Sequence, residues 1–350
     1  MVRERPRAAG PGPGPALGPR GGRGRGGRRV AVTALGGGHG LSASLQALRH
    51  VTDDLTAVVT VADDGGSSGR LREEFGVLPP GDLRMALSAL CDDSGWGHLW
   101  RDVLQHRFAG DGPLAGHPVG NLLIVALWQL LDDPSDGLRL VGELLGAQGR
   151  VLPMSEVPLR IEADVLDPAD GRRSTVHGQV QVATTTHRVE AVRLVPAAPR
   201  ANPEAVEAVL EADWVVLGPG SWFTSVCPHL LVPDLAEALQ RTAARRCVTL
   251  NLEAGGTETV GYRAEQMLEV LADLAPRLRL DAVVVDPSAV DGPADLDALA
   301  AVAGRLGADL HVREVRETTA TGTVARHSVL RLAAAYADVF AGRPAHARRT

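Results

Sequence analysis

Apolar positions along the chain fall into short continuous runs that alternate with stretches of helical spacing. Residues 30–35 are apolar apart from Thr33, the pattern of a strand buried on both faces. Leu41, Leu45 and Leu48 then recur at helical spacing, and a second strand-like run covers residues 55–61. Strand, glycine loop, helix and strand within about thirty residues predict a parallel sheet with right-handed crossovers. Residues 82–146 are mainly helical in pattern, with Gly120 and Asn121 opening the apolar run 122–131. The character changes over 150–198. There, residues 160–165 and 176–182 read as strands around the turn Asp167-Pro168-Ala169-Asp170-Gly171, an antiparallel excursion from the main sheet. The rhythm returns with helices at 202–211, 232–242 and 262–274 and strands at 214–217, 247–250 and 282–285. The predicted fold is α/β: a Rossmann-like, doubly wound, mainly parallel sheet in one domain over 30–342. A disordered tail, residues 1–29, precedes it, because Arg, Gly and Pro leave nothing to bury.

Composition narrows the function classes. With 45% hydrophobic residues, the 350-residue chain can bury a sizeable core. It contains no lysine, so all 36 basic residues are arginine, and a cation facing a phosphate must be Arg or a metal. The tail carries eight arginines against one glutamate while the whole chain is at −6, so the remainder is acidic. No aromatic residue is interleaved in the tail for base stacking, and nucleic acid is not an expected partner. Cys91, Cys227 and Cys247 are far apart and read as buried small side chains in a reducing compartment. No apolar run reaches the ~20 residues of a membrane span, and no secretory signal stands out. The expected location is the cytoplasm, with no membrane partner.

Three loops carry candidate chemistry. Gly36-Gly37-Gly38-His39-Gly40 joins the first strand to its helix; four glycines in five residues exceed the needs of a turn and let backbone amides approach an anion. Leu41 breaks the GxGxxG fingerprint, and the GK[ST] ending of a P-loop is missing. Asp63-Asp64-Gly65-Gly66-Ser67-Ser68 ends the second strand, where doubly wound folds reach a ribose or sugar. Leu78-Pro79-Pro80-Gly81-Asp82-Leu83-Arg84 adds a rigid turn with Asp82 as a helix cap. The third loop, Gly218-Pro219-Gly220-Ser221, again follows a buried strand, and two such loops can converge at a topological switch point. One of Trp222 and Phe223 is expected in the core. Asn121 and Asn251 stand where an amide faces the cleft or serves as a cap, and the pattern leaves both readings open. The histidines lack zinc-ligand spacing and no Ser or Cys has a nucleophile context, so neither a metal nor a catalytic residue is expected.

GGGHG at 36–40, VTVADDGGSSGRLR at 59–72, LPPGDLR at 78–84, LAGHPVGN at 114–121, GRVLP at 149–153, LGPGSWFTS at 217–225 and the stretch from Asn251 to Tyr262 together resemble the gluconeogenesis factor family. These are UDP-N-acetylglucosamine-binding proteins distantly related to the 2-phospho-L-lactate transferases, and the resemblance spans residues 29–312. It implies a nucleotide-sugar-binding regulator of cell shape and cell-wall precursor supply during growth on gluconeogenic carbon. A cell-wall precursor enzyme and further copies of the chain are the implied protein partners. The implied ligand is UDP-N-acetylglucosamine, with NAD as the other dinucleotide-type candidate, and no cofactor is required. The implied site comprises Gly36, Gly37, Gly38, His39, Gly40, Asp63, Asp64, Ser67, Ser68, Asn121, Gly218, Pro219, Gly220, Ser221, Asn251 and Tyr262. His39 replaces the family's usual Thr, and residues 251–259 lack the family's Gln and Pro. The alternative is a phospholactate-transferase-like enzyme using a nucleotide donor, with Asp63 or Asp64 as base.

Overall fold

β1 (Ala31–Gly36) is buried along nearly its whole length and pairs in parallel with β2 (Asp54–Val59). The crossover is α1 (Gly38–Leu48), whose buried face carries Leu41, Leu45 and Leu48, so the spacing legible in sequence is the stripe packed on the sheet. The computed structural model of the chain describes residues 30–131, 133–253, 257–319 and 322–342. The tail expected to be disordered, 1–29, lies outside the described residues.

After β2 the chain builds five helices: α2 (Gly66–Phe75), α3 (Pro80–Leu90), α4 (Gly95–Gln105), α5 (Val119–Leu130) and α6 (Pro134–Leu145). β3 (Arg150–Pro153) then joins the main sheet in parallel beside β2. The excursion expected over 150–198 therefore begins later. Val151 and Leu152 are buried at the sheet edge because they pair with Ala57 and Val58. The separate antiparallel sheet has β4 (Arg160–Leu166) between β5 (Arg173–His177) and β6 (Arg188–Val195). Residues 176–182 are not one strand. Val176, Val180 and Val182 imitate strand alternation, but Gly178 turns the chain at φ 95° into α7 (Gln179–Thr184).

α8 (Pro203–Glu211) leads to β7 (Trp214–Leu217), which pairs with the free side of β1. α9 (Pro228–Leu231) and α10 (Pro233–Arg241) precede β8 (Arg245–Thr249), α11 (Ala264–Leu274) precedes β9 (Ala282–Val285), and α12 (Pro293–Leu306) precedes β10 (Asp309–Val312). The seven-stranded order is β10-β9-β8-β7-β1-β2-β3, every pairing parallel. From β1 the sheet grows one way and from β7 the other, so the switch point lies between them. A hairpin, β11 (Arg316–Thr319) and β12 (Gly322–His327), and α13 (Val329–Phe340) complete the described fold. α13 is anchored by Tyr336, whose hydroxyl lies 2.6 Å from Ser44 Oγ on α1 and 3.0 Å from Thr249 Oγ1. Among the described residues no helix is long and apolar enough to cross a membrane.

Candidate functional site

The loops after β1 and β7 leave adjacent parallel strands at the same end and meet. A Cβ on Gly40 would lie 2.6 Å from Gly220 N and closer still to the Pro219 carbonyl oxygen. Only a residue without a side chain allows that approach, so backbone faces backbone along a seam. α1 starts at this seam with Gly37 as its N-cap and no side-chain cap, which directs N–H groups and the positive end of the helix dipole there. Two chambers flank it. The larger, about 810 Å³, runs between Gly40, Pro219 and the hairpin side, including Arg326, His327 and Leu330. The smaller, about 380 Å³, is lined by Gly37, Gly38, Asp82, Gln179, Ser221 and Glu258, among others. His39, Gly40, Gly220, Asn251 and Glu253 line both.

Of the residues expected in the site, Gly37, Gly38, His39, Gly40, Pro219, Gly220, Ser221 and Asn251 come together here. Gly36 ends β1 and Gly218 follows β7. Asn251 resolves its two readings by holding the second loop: Oδ1 accepts from Gly220 N and Nδ2 donates to Gly220 O, both at 2.9 Å. Asn251→Leu should leave both peptide groups unpaired, lowering stability by roughly 1–3 kcal/mol in urea unfolding.

The remaining six line neither chamber. Asp63 Oδ1 accepts from Gly65 N at 2.9 Å, and burial raises the Asp63 pKa. Asp64 is engaged by α7, accepting from Gln179 N at 3.1 Å and Val180 N at 3.2 Å. Ser68 Oγ accepts from Gly81 N at 3.0 Å. Ser67 Oγ contacts His117 Nδ1 at 2.8 Å and accepts from Asn121 Nδ2 at 2.9 Å, while Asn121 Oδ1 accepts from Arg84 Nε at 2.9 Å. This buried network ties α2, α3 and α5 together, and it turns the Asn121 amide toward Ser67 and Arg84. Tyr262 donates to Val189 O at 2.6 Å, under the Arg188 guanidinium and against the edge of Phe223. It fastens the antiparallel sheet to the loop after β8. Trp222 and Phe223 are both buried, and Trp222 Nε1 donates to Met267 O at 3.0 Å, so both belong to the core.

Besides Glu253, two carboxylates in the smaller chamber were not among the expected site residues. Asp82 is in the first turn of α3, but Pro79 is the N-cap there. Its carboxylate reaches instead beneath the first glycine loop, where a Cβ on Gly37 would lie 2.5 Å from Asp82 Oδ2. That oxygen is buried without a hydrogen-bond partner, and burial, reinforced by Asp63, pushes the pKa up to about 7. Glu258 accepts from Phe223 N at 3.3 Å and Thr224 Oγ1 at 3.2 Å, and burial raises its pKa to about 7. No spacing rule marks either. A first-turn Asp already has a local reading at a helix dipole, and Glu258 matters only because its loop folds onto the one after β7.

Comparison with known proteins adds ancestry to this geometry. The family model described as 2-phospho-L-lactate transferase CofD matches residues 32–319. A provisionally named gluconeogenesis factor of Mycobacterium tuberculosis (strain H37Rv) is 53% identical over 286 residues, 81% of this chain and 84% of that one. The gluconeogenesis factor of Bacillus subtilis (strain 168) is 37% identical over 245 residues, 70% of this chain and 75% of its own. A crystal structure of a UPF0052-family protein from Bacillus halodurans is similar at a TM-score of 0.76 and 32% identity, covering 89% of this chain and 99% of that one.

Proposed function

For a chain that belongs to the gluconeogenesis factor family and matches the CofD family model, we propose a cytoplasmic regulator that binds UDP-N-acetylglucosamine without turning it over. The observation that carries this reading is the seam, where two glycine-rich bends meet backbone to backbone at the switch point with a chamber on each side. The diphosphate lies along the seam, against backbone N–H groups and the start of α1. The larger chamber, with Val329, Leu330 and Arg326 in its walls, takes the uridine. The smaller, lined with hydroxyl, amide and carboxyl groups, takes the sugar. Occupancy biases the surface offered to a cell-wall precursor enzyme, coupling precursor supply to cell shape on gluconeogenic carbon. Further copies of the chain belong to the same working assembly.

Ligand at about 100 times its dissociation constant should stabilise the fold by ~2.7 kcal/mol. Thermal unfolding with UDP-N-acetylglucosamine, NAD and GDP in parallel reads this directly. An unchanged melting temperature at millimolar UDP-N-acetylglucosamine would remove the proposal, and a shift with NAD alone would replace the ligand.

One feature favours a second reading, a phospholactate-type transferase. Asp82 stands in the wall of the smaller chamber, beside the seam, with a carboxyl pKa of about 7. Those are properties of a general base for an acceptor hydroxyl. Product from a nucleotide-activated phospholactate and a deazaflavin acceptor, lost in Asp82→Asn, would support it; absence of turnover leaves the regulator.

A further inference from the structure

Gln179 belongs to the antiparallel sheet module, yet it lines the smaller chamber together with Gly37, Gly38 and Asp82. Its placement is tightly set. Asp64, at the end of the β2 loop, takes the first two N–H groups of α7. Gly178 approaches the same carboxylate so closely that a Cβ there would lie 3.2 Å from Asp64 Cγ and nearer still to Oδ2. A Cβ on Gly65 would in turn meet Val180 Cγ2 at 2.8 Å. The acidic loop of the main sheet and the start of α7 are thus fitted to each other, and the fit fixes where the Gln179 side chain begins.

Two carboxamides line this chamber. Both ends of the Asn251 amide are engaged by the Gly220 peptide. The Gln179 side chain makes no hydrogen bond to any described residue, although its backbone N–H is held by Asp64. It is half-buried, so a ligand group could reach it without prior unfolding. A neutral carboxamide gains little from a phosphate, which arginine or bare N–H groups serve better. Its complement is a group that both donates and accepts, a hydroxyl or an amide. The nearby carboxyl groups of Asp82 and Glu258 suit the same hydroxyl-rich partner.

We propose that Gln179 is a specificity-determining residue that hydrogen-bonds the sugar of the bound nucleotide sugar, and that the antiparallel sheet exists in part to present it. This rests on the nucleotide-sugar reading of the site. Asp64 is its positioning residue, acting through the α7 backbone and not through the ligand.

Isothermal titration calorimetry on the full chain, with UDP-N-acetylglucosamine and with UDP, separates the two claims. Losing one neutral hydrogen bond corresponds to about a 10-fold change in affinity. Gln179→Ala should weaken UDP-N-acetylglucosamine about 10-fold and leave UDP within roughly two-fold. Its melting temperature without ligand should match the wild type, because the side chain has no hydrogen-bond partner among the described residues. Equal losses for both ligands, or no loss for either, would overturn the role of Gln179 while the site itself stands. If the wild-type chain binds neither ligand, the nucleotide-sugar reading fails first and this inference falls with it.

Discussion

Gly40→Ala should abolish nucleotide-sugar binding and destabilise the fold, because the added methyl group would be driven into backbone atoms. The nearest neighbours of a Cβ there are the Pro219 carbonyl oxygen, Gly220 Cα and Gly220 N, none of which can swing aside as a side chain could. Relief requires the two loops to separate. Separation disturbs the paired hydrogen bonds between Asn251 and Gly220 and opens the seam that receives the diphosphate. Overpacking of this kind costs on the order of 1–3 kcal/mol, and an affinity loss of at least roughly 100-fold would follow from losing two or more anion contacts. Gly112→Ala is the matched control. Nothing lies within 4 Å of a Cβ at that loop position, so stability should stay within about 0.5 kcal/mol of wild type. Wild-type affinity for UDP-N-acetylglucosamine in Gly40→Ala would show that the diphosphate sits elsewhere.

The second large effect concerns pH. The folded-state pKa of Asp82, about 7, lies well above its ordinary 3.8 because burial penalises the charged form. Between those values the folded chain holds a proton that the unfolded chain releases. The contribution to stability is therefore complete below the unfolded pKa and is lost as pH rises through the folded one. At about 1.36 kcal/mol per pKa unit, the full loss is on the order of 4 kcal/mol. Urea unfolding at pH 5 and pH 8 should show Asp82→Asn gaining stability relative to wild type over this interval and exceeding it at pH 8; His229 and His327, lowered to about 4 by burial, add an opposite slope common to both proteins. Glu258, raised to about 7 by the same cause, adds a slope of the same sign as Asp82. An anionic diphosphate beside Asp82 further disfavours its ionised form, so ligand affinity should also rise as pH falls from 8 toward 6. Identical pH slopes in Asp82→Asn and wild type would mean that the buried carboxyl is ionised throughout.

The position of Asp82 shows where local reading stops. In PPGD it has a sufficient explanation as a first-turn acid, and only the approach of Gly37 from a different strand turns it into part of the chamber. Asp64 is the converse case. Its place after a strand suggests a sugar contact, but α7 occupies both its oxygens, and Gln179 reaches the chamber in its stead. The hairpin and α13 form one wall of the larger chamber, yet no glycine loop or motif in their sequence announces a site.

Local chemistry by itself determined the buried strands, the helical stripes, and the two glycine bends that end β1 and β7, because each depends on residues within one or two turns of chain. It also carried the family, whose motifs are contiguous strings. Tertiary structure alone decided which strands became neighbours, that the bends touch through Gly40 and Gly220, and which polar groups were consumed by other elements before any ligand arrives. Strand order and side-chain orientation arise from packing between segments far apart in the chain (Ser44 and Gly218, for example, lie 174 residues apart), and nothing in either segment alone encodes the distance between them.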